Sequence, residues 1–226
     1  SHTYADLNTL RQVYDHGLSV ADFRELIVST RPDCVDEARA DLLCSYRRPD
    51  RDVWVELGLQ SANEATLARI RRDHTVAQFD SAYTMLKERG VKVAVHLVYG
   101  LPGEGLSEIR RTVEHVARLH PDGVKIHNLH VPYEAPIFGE LLLGELTVPS
   151  PERHLRYVTQ TLPLLPADTV IMRLTCDTPA ERLAVPRRFW AKSRFYGDVA
   201  AMLWRRGERQ GSRVHELAAF DGEMKS

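Results

Sequence analysis

Four short runs hold the side chains that could do chemistry: Ser29 to Arg31, Glu56 with Gln60, His96 to Gly100, and Lys125 to His130. Each closes a stretch that reads as a strand. If those strands run parallel, the four ends share one rim, the rim where such folds bind ligands. Glu56 and His96 suit acid–base roles. His96, His127 and His130 raise a metal reading. Alternation puts His127 and His130 on opposite faces of one strand, so ligand contact or packing is favoured over zinc. Arg31-Pro32-Asp33 reads first as a Pro-set turn with Asp33 capping a helix, with a catalytic use as the alternative. Gly100-Leu101-Pro102-Gly103 lets backbone approach a ligand closely, and the helix start behind it could face an anion.

The elements that must position these groups follow from periodicity. Val53 to Gln60 alternates, with Val53, Val55, Leu57 and Leu59 on one face and Trp54, Glu56, Gly58 and Gln60 on the other. An aliphatic back with a polar front suits a barrel strand, whose outer face packs on helices while its inner face holds ligand groups. Phe23 to Ser29, Val91 to Tyr99, Gly123 to Val131 and Val170 to Thr175 read as further strands. Helices are expected over Thr9 to His16, with a turn at His16-Gly17, and over Val35 to Tyr46, with Ala38, Leu42 and Leu43 inward. Others are expected from Ala62, with Ser61 and Glu64 as a capping box, and over Val76 to Arg89, Leu106 to Leu119 and His154 to Leu165. Strand and helix alternate at about 30 residues, the size of a βαβ unit, which implies a parallel sheet with right-handed crossovers. After Pro132 the chain becomes loop-rich through Ser150.

Composition excludes several classes. The 226 residues carry a net charge of −1 and 43% hydrophobic residues, so no global field draws the chain to nucleic acid or membrane. No apolar run reaches a membrane span of about 18 residues. No signal peptide is visible. Cys34, Cys44 and Cys176 are far apart with no zinc spacing, which favours a reducing, cytoplasmic setting. From Arg182 to Arg213, nine cations stand against two anions, among aromatics. That segment reads as a solvated amphipathic helix, or as an RNA-facing patch using Arg187, Arg188, Lys192, Arg194, Arg205 and Arg206. The last residues, Asp221 to Ser226, read as a frayed tail.

Val-Glu-Leu-Gly-Leu-Gln-Ser (Val55 to Ser61), Arg72-Asp73-His74 and His-Leu-Val-Tyr-Gly-Leu-Pro-Gly-Glu (His96 to Glu104) together resemble the radical S-adenosylmethionine (SAM) superfamily. The likeness is to the branch holding oxygen-independent coproporphyrinogen dehydrogenase and the Elongator catalytic subunit. Thr-Arg-Pro-Asp-Cys (Thr30 to Cys34), Lys-Ile-His-Asn-Leu-His-Val (Lys125 to Val131) and Arg-Leu-Thr-Cys-Asp (Arg173 to Asp177) resemble an uncharacterised bacterial group within it. The resemblance runs from Thr3 to about Gly211. It implies an α/β fold, a parallel partial (β/α)6 TIM-like barrel lacking its first βα unit, with residues 1–132 as core and 133–226 as an α+β extension on the barrel. It implies two cofactors, SAM and a [4Fe–4S] cluster, and an electron donor such as flavodoxin or ferredoxin. In such enzymes the reduced cluster cleaves SAM to a radical that abstracts hydrogen from substrate. By the resemblance, Gln60 would contact the SAM ribose and Arg72 its carboxylate. Tyr99, Gly100 and the backbone of His127 to Leu129 would border the adenine. Glu56 would be a lumen group facing SAM or substrate.

Two departures from the family pattern matter. Ser29 stands where the Elongator pattern has Glu, which weakens an Elongator-type substrate. The cluster motif, three Cys within eight residues, is absent and is expected upstream of Ser1, so this chain alone is expected to be inactive. Three readings stay open: the larger part of a radical SAM enzyme acting on an unknown substrate, RNA among the candidates; a non-catalytic barrel binding SAM, RNA or protein; and an ordinary barrel enzyme using Glu56 and His96.

Overall fold

The computed structural model describes residues 4–177 and 183–217. Ser1 to Thr3, Arg182 and the tail from Asp221 lie outside the described residues. Five strands form one sheet in the order β1 (Glu25–Thr30), β2 (Asp52–Gln60), β3 (Lys92–Tyr99), β4 (Gly123–Asn128) and β6 (Val170–Arg173), every neighbouring pair parallel. Sequential order with helical crossovers is the winding of a barrel wall, and the sheet stays open. Between them run α2 (Glu37–Ser45), α3 (Glu64–Arg69), α4 (Val76–Glu88), α5 (Leu106–Arg118) and α7 (Pro151–Thr161), after α1 (Leu7–Ser19) and before α8 (Lys192–Arg205). A short antiparallel pair, β5 (Val131–Pro132) with β7 (Leu183–Val185), and the five-residue α6 (Phe138–Leu142) complete the described elements. The fifth strand of the main sheet thus comes from the 133–226 segment.

The expected alternation of β2 holds. Val53, Val55, Leu57 and Leu59 are buried in one core with Val93, Val95, Leu97, Val124 and Ile126, against Phe79, Leu86, Val113 and Val158 of the helices. Each such side chain contributes about 1.5–3 kcal/mol of burial. The other face is the lumen. Its floor is closed by Trp54 and Met172, which fit because Gly123 has no side chain: a Cβ there would lie 3.4 Å from each and 3.3 Å from Ala94.

Several local expectations are corrected. α1 runs through His16-Gly17 to Ser19. Asp33 caps no helix; Pro32–Cys34 is a 3-10 turn, and Asp36 caps α2 by accepting from the Arg39 N–H. That phase turns Ala40, Leu42 and Leu43 inward and leaves Ala38 exposed. Asn63, not Ser61, caps α3. Ser61 is diverted because its hydroxyl donates to half-buried Glu104. The strand from Gly123 ends at Asn128, because the Asn128 side chain ties to the end of β6: Oδ1 accepts from Thr175 Oγ1 at 2.8 Å and Cys176 N at 3.0 Å.

Candidate functional site

The strand register sets four residues in one lumen row. Gly58 pairs with His96, His96 with Lys125, and Lys125 with Arg173. Below that row Ser29 pairs with Glu56. Lys125 Nζ reaches both Glu56 oxygens at 2.8 Å, and Ser29 Oγ donates to the same carboxylate at 2.7 Å. Burial alone would raise the Glu56 pKa; the hydrogen bonds from Lys125 and Ser29 overcome it and hold the carboxyl below its ordinary value. The side chains of the Glu56–Lys125 pair are only 15–16% exposed. Replacing Lys125 by Met leaves Glu56 with one neutral donor. The expected cost is about 1–2 kcal/mol at pH 7, discounted for partial exposure. A native carboxyl depressed below its unfolded value stabilises above that unfolded value and loses the contribution as pH falls through the native one. Denaturant titrations of K125M and the parent should therefore differ at pH 7 and converge as pH falls through the depressed native value of Glu56; a gap that shows no narrowing down to the acid limit of the folded state would refute the pairing as its cause.

Above the row, the C-terminal ends of the strands frame a cleft of about 540 Å³. Gln60 and Arg72 form one wall, and Ile70, Val98, Leu101 and Leu129 give an apolar side. His127, Asn128, His130, Arg173, Cys176 and Asp177 complete the lining. A larger depression, about 710 Å³, lies at the opposite, N-terminal rim around Phe23 and Asp52. Parallel α/β sheets bind ligands beyond the C-terminal strand ends, so the smaller cleft is the candidate.

The wall holding Gln60 and Arg72 is built around a missing side chain. β2 bulges between Gly58 and Gln60, and Gln60 adopts φ +71°. That conformation costs a non-glycine residue about 1 kcal/mol or more. It brings Gln60 Nε2 to 2.6 Å, and Arg72 Nη2 to 2.8 Å, from where a Gly58 Cβ would sit. Arg72 Nε is buried without a hydrogen-bond partner. Burial, together with nearby Arg31, holds the Arg72 guanidinium below the usual arginine range. Among the described residues no carboxylate lies within ion-pair distance of Arg72, whereas Arg31 is chelated by Asp33 and touches Asp73. A desolvated cation with an orphaned donor, beside an amide on a strained backbone, suits a ligand carboxylate.

The other expected residues divide. Glu56 and His96 lie in the lumen beneath the cleft and do not bond each other. Burial, then Lys125, pushes the His96 pKa down to about 4, which keeps it neutral. His127 and His130 line the same cleft, not opposite faces, because β4 ends between them. Burial and the adjacent His96 push His127 down to about 3. Leu129 is on the apolar side, and its N–H donates to the Tyr99 carbonyl. The Tyr99 side chain turns away from the cleft into the helix layer, its hydroxyl 3.0 Å from Thr161 Oγ1, so only its backbone can border a ligand. Gly100, at φ +84°, is covered by Pro149, whose ring carbon lies 2.1 Å from where a Cβ would stand. At the start of α5 the Glu108 carboxylate accepts the Gly105 N–H at 2.8 Å, which sets a negative charge where an anion would dock. Ile70, Leu101 and Arg173 were not singled out as site residues from the sequence. A basic residue closing the last strand was the one available signal for Arg173. Among the described residues no group of three His, Cys, Asp or Glu side chains could hold a metal ion. Cys34 sits in a buried turn, Cys44 contacts the Arg89 carbonyl, and Cys176 lines the cleft.

Comparisons with known proteins give the family and the fold. The model of the Radical SAM superfamily matches residues 3–116, and that of the Radical_SAM C-terminal domain matches residues 121–205. Protein YhcC of Escherichia coli strain K12 is 35% identical over 197 residues, 87% of this chain and 63% of that protein. A tRNA uridine(34) acetyltransferase of Methanocaldococcus infernus is 26% identical over 69% of this chain and 29% of its own length. The solved structure of archaeal Methanocaldococcus infernus Elp3 with an N-terminal deletion superposes with a TM-score of 0.72 at 24% identity, over 82% of this chain and 43% of that one. That likeness shows the fold. The chain spans about 63% of the YhcC length.

Proposed function

The chain belongs to the radical SAM superfamily, and from that premise we propose that it forms the SAM-binding part of an enzyme that reductively cleaves SAM to begin radical chemistry. The observation that carries this is the orphaned, buried Arg72 Nε beside Gln60 over Gly58. Arg72 receives the SAM carboxylate and Gln60 a ribose hydroxyl. The apolar side of Ile70, Val98, Leu101 and Leu129 takes the adenine face and excludes water. Neutral His96 and His127 put no positive charge of their own under a sulfonium ligand. A [4Fe–4S] cluster, when bound, supplies the electron for the cleavage. The described residues do not fit it, since Cys34, Cys44 and Cys176 stand apart.

The test uses the complete protein, reconstituted anaerobically with iron and sulfide and reduced with dithionite. Formation of 5′-deoxyadenosine from SAM is the expected result. SAM binding with no cleavage in a cluster-loaded protein would favour a non-catalytic barrel. Tight binding of neither would end the proposal.

RNA is the proposed partner class, supported by the cationic C-terminal segment and the tRNA-modifying relative. Ion pairs weaken part of that surface: Lys192 with Asp177, Arg194 with Asp198 and Arg206 with Glu208. Arg187, Arg188 and Arg205 are exposed, and Arg194 stacks 4.3 Å over Trp190. Three phosphate contacts predict a shallow dependence of binding on salt, a log–log slope of about −2 to −3. Replacing all three arginines by Ala should flatten it to near zero in a filter-binding assay with tRNA; an unchanged slope would remove this surface from consideration.

A further inference from the structure

SAM, as placed above, uses Arg72, Gln60 and the apolar side of the cleft. Arg173 has no part in that assignment, and it brings a second cation to the cleft lining. Arg173 closes β6 and faces the lumen row beside Lys125. Its Nη1 is held 3.2 Å from His127 Nε2. His127 therefore serves as acceptor, with its own proton on Nδ1, and its ring is set edge-on to His96 at 4.2 Å between centroids. The neighbouring charges are already satisfied. Lys125 is bound to Glu56, and Asp177, the one carboxylate of the cleft lining, is bound by Lys192 at 2.6 Å. Among the described residues Arg173 has no carboxylate within ion-pair distance. The cleft thus holds two guanidiniums, Arg72 and Arg173, with no carboxylate in ion-pair contact among the described residues. Arg72 reaches over Gly58 of β2, whereas Arg173 closes β6, three strands on in the sheet, and is tied to His127 of β4.

We propose that Arg173 anchors an anionic group, a carboxylate or a phosphate, of the substrate that shares the cleft with SAM. The proposal rests on the SAM assignment of Arg72 only for the identity of the neighbour. His127 is a positioning residue: by holding Nη1 it aims the remaining guanidinium donors into the cleft, where a fork geometry suits a two-oxygen anion.

The experiment is arginine modification by phenylglyoxal on the complete protein, read peptide by peptide by mass spectrometry, with exposed Arg187 as internal control. Inorganic phosphate and acetate are tested separately, each with and without SAM, at constant ionic strength. We expect SAM to slow modification of Arg72 and not of Arg173. One of the two anions, at saturating concentration, should slow Arg173 by about tenfold relative to Arg187, as near-full occupancy requires. Whichever anion acts at lower concentration identifies the substrate group as phosphate-like or carboxylate-like. Protection of Arg173 by SAM alone, as strong as that of Arg72, would overturn the proposal by placing both arginines in one site. So would an anion effect no larger on Arg173 than on Arg187. Failure of SAM to protect Arg72, with anion protection of Arg173 intact, would remove the SAM assignment and leave this site standing. Calorimetry with R173Q should show phosphate or acetate binding weakened about tenfold while SAM affinity stays within about twofold.

Discussion

Replacing Arg72 by Ala should weaken SAM binding by about 10- to 100-fold without lowering the stability of the protein. A charge-assisted hydrogen bond contributes about 1.5–3 kcal/mol, and Arg72 offers a two-pronged one. The stability half of the prediction is the more diagnostic. A structural arginine that loses its partner destabilises a fold. Arg72 has no carboxylate partner among the described residues, and its Nε is buried and unpaired. Removing a partly desolvated cation that makes no ion pair and sits beside Arg31 should leave the unfolding midpoint unchanged or raise it. Equilibrium dialysis with SAM and a denaturant titration of the same preparations check both halves. Loss of stability together with unchanged SAM affinity would make Arg72 a structural residue.

The second large effect is expected from Gly58→Ala, the smallest change that fills the cradle. The added methyl would stand 2.6 Å from Gln60 Nε2 and 2.8 Å from Arg72 Nη2. Both are the far ends of flexible side chains, so they can yield while the backbone of β2 stays in place. The fold should survive, and the two ligand groups should move by a few tenths of an ångström or more. A misplacement of this size in a preorganised site costs about tenfold or more in affinity. Gln60→Ala in the G58A background should then cost less than it does alone, since the glutamine is already displaced. Additive losses in that cycle would mean Gly58 acts elsewhere.

Much of the fold is legible in the sequence, for a physical reason. The period-two run from Val53 to Gln60 has one energetically acceptable orientation, aliphatic face to the helices and polar face to the lumen, because a one-residue slip would expose four buried aliphatics. Helix phases that depend on caps were less legible. Ser61 and Asp33 look like caps by local chemistry, yet Ser61 donates to Glu104, 43 residues on, and Asp33 is taken by the guanidinium of Arg31, two residues before it. A cap is lost whenever another partner, near or far in sequence, offers its side chain a charge-assisted bond.

The same division holds for the site. The sequence by itself determined that carboxylate, amide, imidazole and amine groups end parallel strands at one rim, and that Gln60 and Arg72 belong to a family pattern. Only the tertiary structure decided which of them meet. The register sets Gly58, His96, Lys125 and Arg173 in a row. The bulge after Gly58 turns Gln60 onto Arg72, and Asn128 ends β4 so that His127 and His130 share one cleft. Register, bulges and side-chain ties between distant strands arise from packing the whole sheet at once, and no short stretch of sequence encodes them.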